Sequence, residues 1–147
     1  MREILFRGKR NDNREFVEGW LAQSRLNTYP DGYEIIEPDG INYDELDYCE
    51  PSFVSYGVIP ETIGQYTGMK DWNGVKVFEG DIVRLSEDVK QTFNVSDGEV
   101  RYGWGGFYIG KFSALNSLNT LASYDGVLRG EVVGNVHDNF ELSGGTE

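Results

Sequence analysis

The stretch VIPETIGQYTGMKDWNGVKVFEGDIVRL, residues 58–85, has the pattern of two β-strands joined by a tight turn. Asn73-Gly74 is a strong hairpin signal, because a type I′ turn needs positive φ at both central residues and Asn and Gly tolerate it best. The interruption at Glu79-Gly80 predicts a bulge or a bend in the second strand. Pro60 holds the preceding residue extended, so the chain enters this stretch in a non-helical conformation.

Further short strands are predicted on both sides of this stretch. A hairpin is predicted over residues 2–22, and a strand over residues 33–37 that ends at the turn sequence Pro38-Asp39-Gly40. SFVSYGVI, GEVRYG, GFYIGKF and GEVVGNVHD are the other strand candidates. A single short helix is predicted after Ser113 as N-cap, since apolar residues recur there at helical spacing: Ala114, Leu115, Leu118, Leu121 and Ala122.

The composition favours a mainly β fold. The 147 residues include 19 Gly and only 4 Pro, and 14% are aromatic, a mixture typical of short strands and tight turns. We therefore expect a small barrel in the C-terminal half, with an N-terminal β-hairpin arm beside it. The predicted domain scheme is an arm with an acidic segment (1–57), a barrel (58–142) and a disordered tail (143–147).

Negative charge is concentrated in one part of the chain. The net charge is −12, and residues 26–69 contain nine acids and no Lys or Arg. Such a field repels nucleic acid and anionic membranes, so neither is expected as a direct partner. The acids form either a solvated face or a surface for a basic partner. The candidate residues of that surface are Asp44, Glu45, Asp47 and Glu50.

No catalytic constellation is found in the sequence. One cysteine, Cys49, and one histidine, His137, exclude a disulfide framework and a Cys/His zinc site. The carboxylate spacing does not match a calcium loop, and the glycines near residue 105 do not match a phosphate-binding loop. We therefore predict no catalytic residue, no metal and no cofactor. The absence of a signal-peptide pattern predicts a cytoplasmic location.

A family resemblance adds to this interpretation. The segment VIPETIGQYTGMKDWNGVKVFEGDIV closely resembles the signature of the YopX family, whose members are encoded mostly by bacteriophages and prophages, and REILFRGKR and GEVVGNVHDNFEL resemble the family's first and closing strands. The resemblance implies an SH3-like barrel, self-association and no known catalytic residue. The matching positions, of unknown role, are Pro60, Glu61, Thr62, Gly64, Gln65, Tyr66, Thr67, Gly68, Asp71, Gly74, Glu79, Gly80 and Asp81.

Two functional hypotheses remain open at this point. The first is a non-enzymatic phage accessory protein, a homo-oligomeric interaction module in the bacterial host cytoplasm. The alternative is an acidic decoy that binds a basic, nucleic-acid-binding host protein through residues 26–69. A third possibility, hydrolysis by carboxylates with a divalent metal, lacks a supporting motif. The signature positions either specify the fold or form a partner surface.

Overall fold

The computed structural model describes residues 3–23, 32–42, 52–111 and 113–138. The chain divides into two compact units, Met1–Gln65 (unit 1) and Tyr66–Glu147 (unit 2). This boundary lies inside the signature, so residues 58–65 belong to unit 1. The predicted tail, residues 143–147, lies outside the described residues.

Unit 1 is built from antiparallel strands. β1 (Phe6–Lys9) and β2 (Phe16–Gln23) form the predicted N-terminal hairpin. β2 pairs with β3 (Tyr33–Asn42), and β3 pairs with β4 (Ser52–Gly57). A 3-10 turn (Pro60–Thr62) follows, and the first two residues of β5 (Gly64–Asp71) pair with β1. The buried apolar side chains are Leu5, Ile35 and Val58.

The predicted end of β3 at Pro38-Asp39-Gly40 is wrong. The strand continues to Asn42, and its register with β4 is irregular between Ile36 and Ile41. Proline has no N–H to donate to a strand ladder, so a local irregularity lets the strand pass through this sequence. Turn-forming residues therefore mark a break in the pairing here rather than a strand end.

Unit 2 contains two groups of strands. β5, which continues from unit 1 into unit 2, pairs antiparallel with β6 (Lys76–Phe78) and parallel with β10 (Val127–Leu128). A four-stranded antiparallel sheet has the order β11-β7-β8-β9. Its strands are β7 (Asp81–Leu85), β8 (Gly98–Gly103), β9 (Gly106–Ile109) and β11 (Gly130–Asn135). The buried core consists of Val77, Val83, Leu85, Val89, Val100, Ile109, Leu118, Leu121 and Leu128.

The prediction of one helix after Ser113 is corrected in two ways. That segment is divided into a 3-10 turn (Ala114–Asn116) and a single α-helical turn, α2 (Leu118–Leu121), and Ser113 and Ser117 cap the two pieces. A second helix, α1 (Glu87–Phe93), was not predicted. Ser86 caps it by accepting a hydrogen bond from the Val89 amide, and Glu87 and Asp88 occupy its first turn. This is the N-terminal pattern that favours a helix, so the signal was present in the sequence.

The mainly β class is confirmed, whereas a closed barrel is not. In the described ranges, strand pairing gives open sheets, and no pairing returns from β9 to β11. The longest α-helix among these residues has seven residues, far short of a membrane-spanning length.

Candidate functional site

Asp71, in the middle of the signature, anchors the loop between β5 and β6. The residue is 2% exposed. One carboxylate oxygen, Oδ1, accepts hydrogen bonds from the amides of Asn73 and Val75, both at 2.9 Å. The other oxygen, Oδ2, accepts from the amide of Val132 in β11 at 2.8 Å. A buried carboxylate is tolerated when its oxygens are bonded in this way, so Asp71 acts as a structural acceptor.

The loop that Asp71 holds is not the predicted type I′ turn. Only Gly74 of the Asn73-Gly74 pair has positive φ, at 82°. The Gly74 amide donates to the Asp71 carbonyl at 3.0 Å, and the Asp71 amide donates to the Val75 carbonyl at 2.8 Å. These bonds define a three-residue loop in which a turn is followed by a left-handed glycine. Asp at the first turn position and Gly at the fourth are the sequence signals for it.

The second bend of the signature, at Glu79-Gly80, is also fixed by side-chain to backbone bonds. Asp81 is buried, and its Oδ2 accepts from the Phe78 amide at 2.8 Å. Gly80 has φ of 93°, donates to the Val100 carbonyl at 2.8 Å and accepts from the Val136 amide at 2.9 Å. The predicted bend is confirmed, and it ties β7 to its neighbours.

Two threonines of the signature also bond backbone groups. In unit 2, the Thr67 hydroxyl donates to the Val77 carbonyl at 2.8 Å. In unit 1, the Thr62 hydroxyl donates to the Ile59 carbonyl at 2.6 Å and accepts from the Lys9 amide at 2.9 Å. The two threonines therefore satisfy backbone groups where strands end or bend.

The remaining signature positions differ in their exposure. Pro60 begins the 3-10 turn, and Glu61 on that turn is exposed. Gly64 is buried and Gln65 partly buried in β5. Tyr66 is buried against Phe78, with ring centroids 5.5 Å apart, and Gly68 has φ of 85°. Glu79 is partly buried beside Gly80.

The acidic candidate surface cannot be placed. Asp44, Glu45, Asp47 and Glu50 lie outside the described residues, as does Cys49. Within the described part of the chain, no three His, Cys, Asp or Glu side chains are grouped as metal ligands would be. The partner role assigned to these acids stays a prediction.

A second candidate surface lies at the tip of the β8–β9 hairpin, where the glycines near residue 105 form a tight turn and not a phosphate-binding loop. Gly103 pairs with Gly106, which leaves the two-residue loop Trp104-Gly105 with φ of 56° and 84°. Trp104 is 84% exposed, and Tyr102 is also exposed. Positive φ is unfavourable for a bulky residue, so this loop conformation is strained at Trp104. We call Tyr102 to Tyr108 the hairpin tip.

In unit 1, an ion pair lines a cavity of about 210 Å³. The Nε and Nη2 groups of Arg10 donate to the two carboxylate oxygens of Asp12, and the guanidinium carbon lies 4.2 Å from the ring centroid of Tyr56. The hydrogen bond from Arg10 lowers the pKa of Asp12, and the same bond raises the pKa of Arg10. The charge of Arg10 is thus matched within the cavity wall.

Comparison with known proteins identifies the family. A crystal structure of protein EF1440 from Enterococcus faecalis is similar, with a TM-score of 0.60 and 25% identity over 97% of this chain and 99% of that chain. Comparison with curated proteins finds no match. The family model for YopX protein matches residues 5–142. With nearly its whole length matched, the chain belongs to the YopX protein family.

Proposed function

We propose that this chain is a non-enzymatic phage or prophage accessory protein that self-associates in the bacterial host cytoplasm and acts as an interaction module. One observation carries the proposal: the buried polar groups of the signature bond the backbone, whereas Trp104 and Tyr102 of the hairpin tip are exposed. Groups held in structural bonds are poorly placed for proton transfer or nucleophilic attack. Exposed aromatic side chains are favoured at protein interfaces.

The hairpin tip has no charged side chain, and this also suits it to contact a second copy of the chain. Its seven residues, 102–108, contain no charged side chain, although the whole chain carries −12. Two copies of an acidic protein repel each other, and this repulsion is smallest where an uncharged surface faces another. Aromatic pairs across such a contact contribute about 0.5–1.5 kcal/mol each beyond area burial.

Light scattering after size exclusion, over a series of concentrations, tests this proposal. We expect the wild-type mass to rise above the 16.6 kDa of one chain, and Trp104→Asn to shift that rise to higher concentration. Asn suits a left-handed turn position, so this variant keeps the loop and removes the indole. Leu115→Asn removes another exposed apolar side chain and is the matched control. A wild-type protein that stays at 16.6 kDa at all concentrations contradicts self-association.

We also infer that unit 2 is an SH3-like barrel in which single hydrogen bonds, instead of a strand ladder, bridge the gap between β5 and β11. The support is the bond from the Val132 amide to Asp71 and the bond from the Trp72 amide to the Gly130 carbonyl, at 3.2 Å. Hydrogen exchange at Val132 tests it. We expect protection like that of paired strand amides, and rapid exchange at Val132 in the wild-type protein opposes this closure.

An acidic decoy is the second candidate function, and the uninterrupted acidic charge of residues 26–69 favours it. Its partner would be a basic, nucleic-acid-binding host protein, while nucleic acid and membranes would not bind directly. Capture from host lysate on tagged protein should weaken with salt and disappear on neutralisation of Asp44, Glu45, Asp47 and Glu50. The matched control neutralises four acids elsewhere: Glu3, Glu15, Glu87 and Asp88. Equal loss in both variants means that net charge, not this surface, is responsible.

A further inference from the structure

A second cavity, of about 570 Å³, lies in unit 2 beside the end of α2. Its lining residues are Asn119, Ala122, Ser123, Tyr124 and Arg129. The lining therefore contains amide, hydroxyl and phenol groups together with one guanidinium group. Among the described residues of this lining, Arg129 alone is charged, although the chain as a whole has nearly two acids for each base.

Arg129 is held in place by backbone groups. Its Nε donates to the Leu121 carbonyl and its Nη2 donates to the Thr120 carbonyl, both at 3.2 Å. The guanidinium carbon also lies 5.8 Å from the ring centroid of Phe93. Carbonyls at a helix C-terminus and an aromatic face fix the position of the cation without neutralising its charge.

Three other cations of unit 2 form ion pairs with carboxylates. Arg84 pairs with Glu131, Lys90 pairs with Glu87 and Asp97, and Arg101 pairs with Glu99. Among the residues described for unit 2, no carboxylate forms such a pair with Arg129. In unit 1, the cavity arginine, Arg10, is matched by Asp12. Arg129 therefore differs from Arg10 in presenting an unmatched cation to a cavity.

We propose that this cavity binds a small aromatic carboxylate, with the carboxylate on Arg129 and the ring against Tyr124. An arginine held in a fixed orientation is suited to binding a planar carboxylate. Tyr124 is fully exposed, so its ring is available to pack on a planar ligand. Asp125, whose carboxylate accepts a hydrogen bond from the Ser123 hydroxyl, adds negative charge next to the wall and disfavours ligands with several negative charges.

The test uses benzoate as ligand and benzamide as its neutral equivalent, followed by amide chemical shifts of the full chain. We expect benzoate to shift amides of residues 119–129 in a saturable way and benzamide to leave them unshifted. Arg129→Gln should weaken benzoate binding about tenfold or more, because a charge-assisted bond is lost. Tyr124→Ala should weaken it about threefold, in line with the loss of one ring contact.

Two further variants, a control outside the cavity and a variant of Tyr124, make the benzoate result interpretable. Lys111→Gln removes an exposed cation outside the cavity lining and should leave benzoate affinity unchanged. Arg129→Gln also removes two bonds to α2, so if that variant unfolds, the Tyr124→Ala result decides. Equal shifts with benzamide, or benzoate binding that Tyr124→Ala does not weaken, would overturn the proposal. None of these readouts depends on self-association, so the proposed function can fail independently.

Discussion

Unit 2 contains two glycine-bearing hairpin loops that are stabilised in opposite ways. In the loop after Asp71, a buried carboxylate bonds three amides, and the positive φ falls on Gly74. In the loop at Trp104-Gly105, positive φ falls on an exposed tryptophan as well as on glycine. The first loop obeys its local sequence preferences and the second breaks them.

We interpret this difference as a separation between residues that specify the fold and residues that a partner could contact. Natural sequences violate local preferences mainly where function requires it. The signature loop is therefore best interpreted as structural, and the hairpin tip is the better candidate for a contact surface. The substitutions below test this interpretation.

The largest effect is expected at Asp71. Asp71→Asn keeps the shape but leaves one oxygen for three amides and places an NH2 group against a donor. We expect the free energy of unfolding to fall by about 3 kcal/mol, since bonds to a buried charged acceptor are among the stronger ones. Urea denaturation measures this change. Glu87→Gln, at an exposed helix position, is the control, and a loss in Asp71→Asn no greater than in that control would mean that the buried carboxylate is dispensable.

A smaller effect is expected when glycine is replaced in each loop. A Cβ on Gly74 or Gly106 would meet no atom within 4 Å, so neither site is crowded. Gly74 has φ of 82°, and alanine there should cost about 1 kcal/mol. Gly106 does not have positive φ, and alanine there should be neutral or stabilise by about 0.4–1 kcal/mol through the unfolded state. Thermal unfolding of both variants measures the two effects. An equal loss of stability in the two variants would contradict the expected difference between the loops.

The smallest effect is expected from the Arg10–Asp12 pair. Because the hydrogen bond from Arg10 holds the pKa of Asp12 below its ordinary value, the pair stabilises the folded state above the ordinary pKa. That contribution is lost as pH falls through the lowered, folded-state pKa. Arg10→Gln should return the pKa of Asp12 toward its ordinary value, as followed by carbon-detected NMR titration. An unchanged Asp12 pKa would mean that the ion pair does not persist in solution.

The strand content of the fold could be predicted from local sequence, and some details could not. Asn11-Asp12-Asn13 and Gly103-Trp104-Gly105-Gly106 mark the observed β1–β2 and β8–β9 hairpins. The short strand β10 was missed, because two residues in a parallel pair leave no periodic pattern. Val75 is exposed, since it follows the three-residue loop instead of the predicted two-residue turn.

Of the candidate site, sequence reasoning found the signature but not its contacts. The signature positions were expected either to specify the fold or to form a partner surface, and Thr62, Thr67 and Asp81 bond backbone groups. The bond between Asp71 and Val132 joins residues 61 positions apart, which no local pattern encodes. The exposure of Trp104 and the unmatched charge of Arg129 likewise depend on which residues the fold brings close.

The central claim, that the hairpin tip gives up stability to expose an indole, is tested most directly by the unfolding free energy of Trp104→Asn. The measurement should be made at a concentration at which both proteins are monomeric. Asn accepts positive φ at lower cost than Trp, so we expect the variant to be more stable than the wild-type protein by about 0.5–1 kcal/mol. A variant less stable than the wild-type protein would show that Trp104 supports the fold and would contradict the claim.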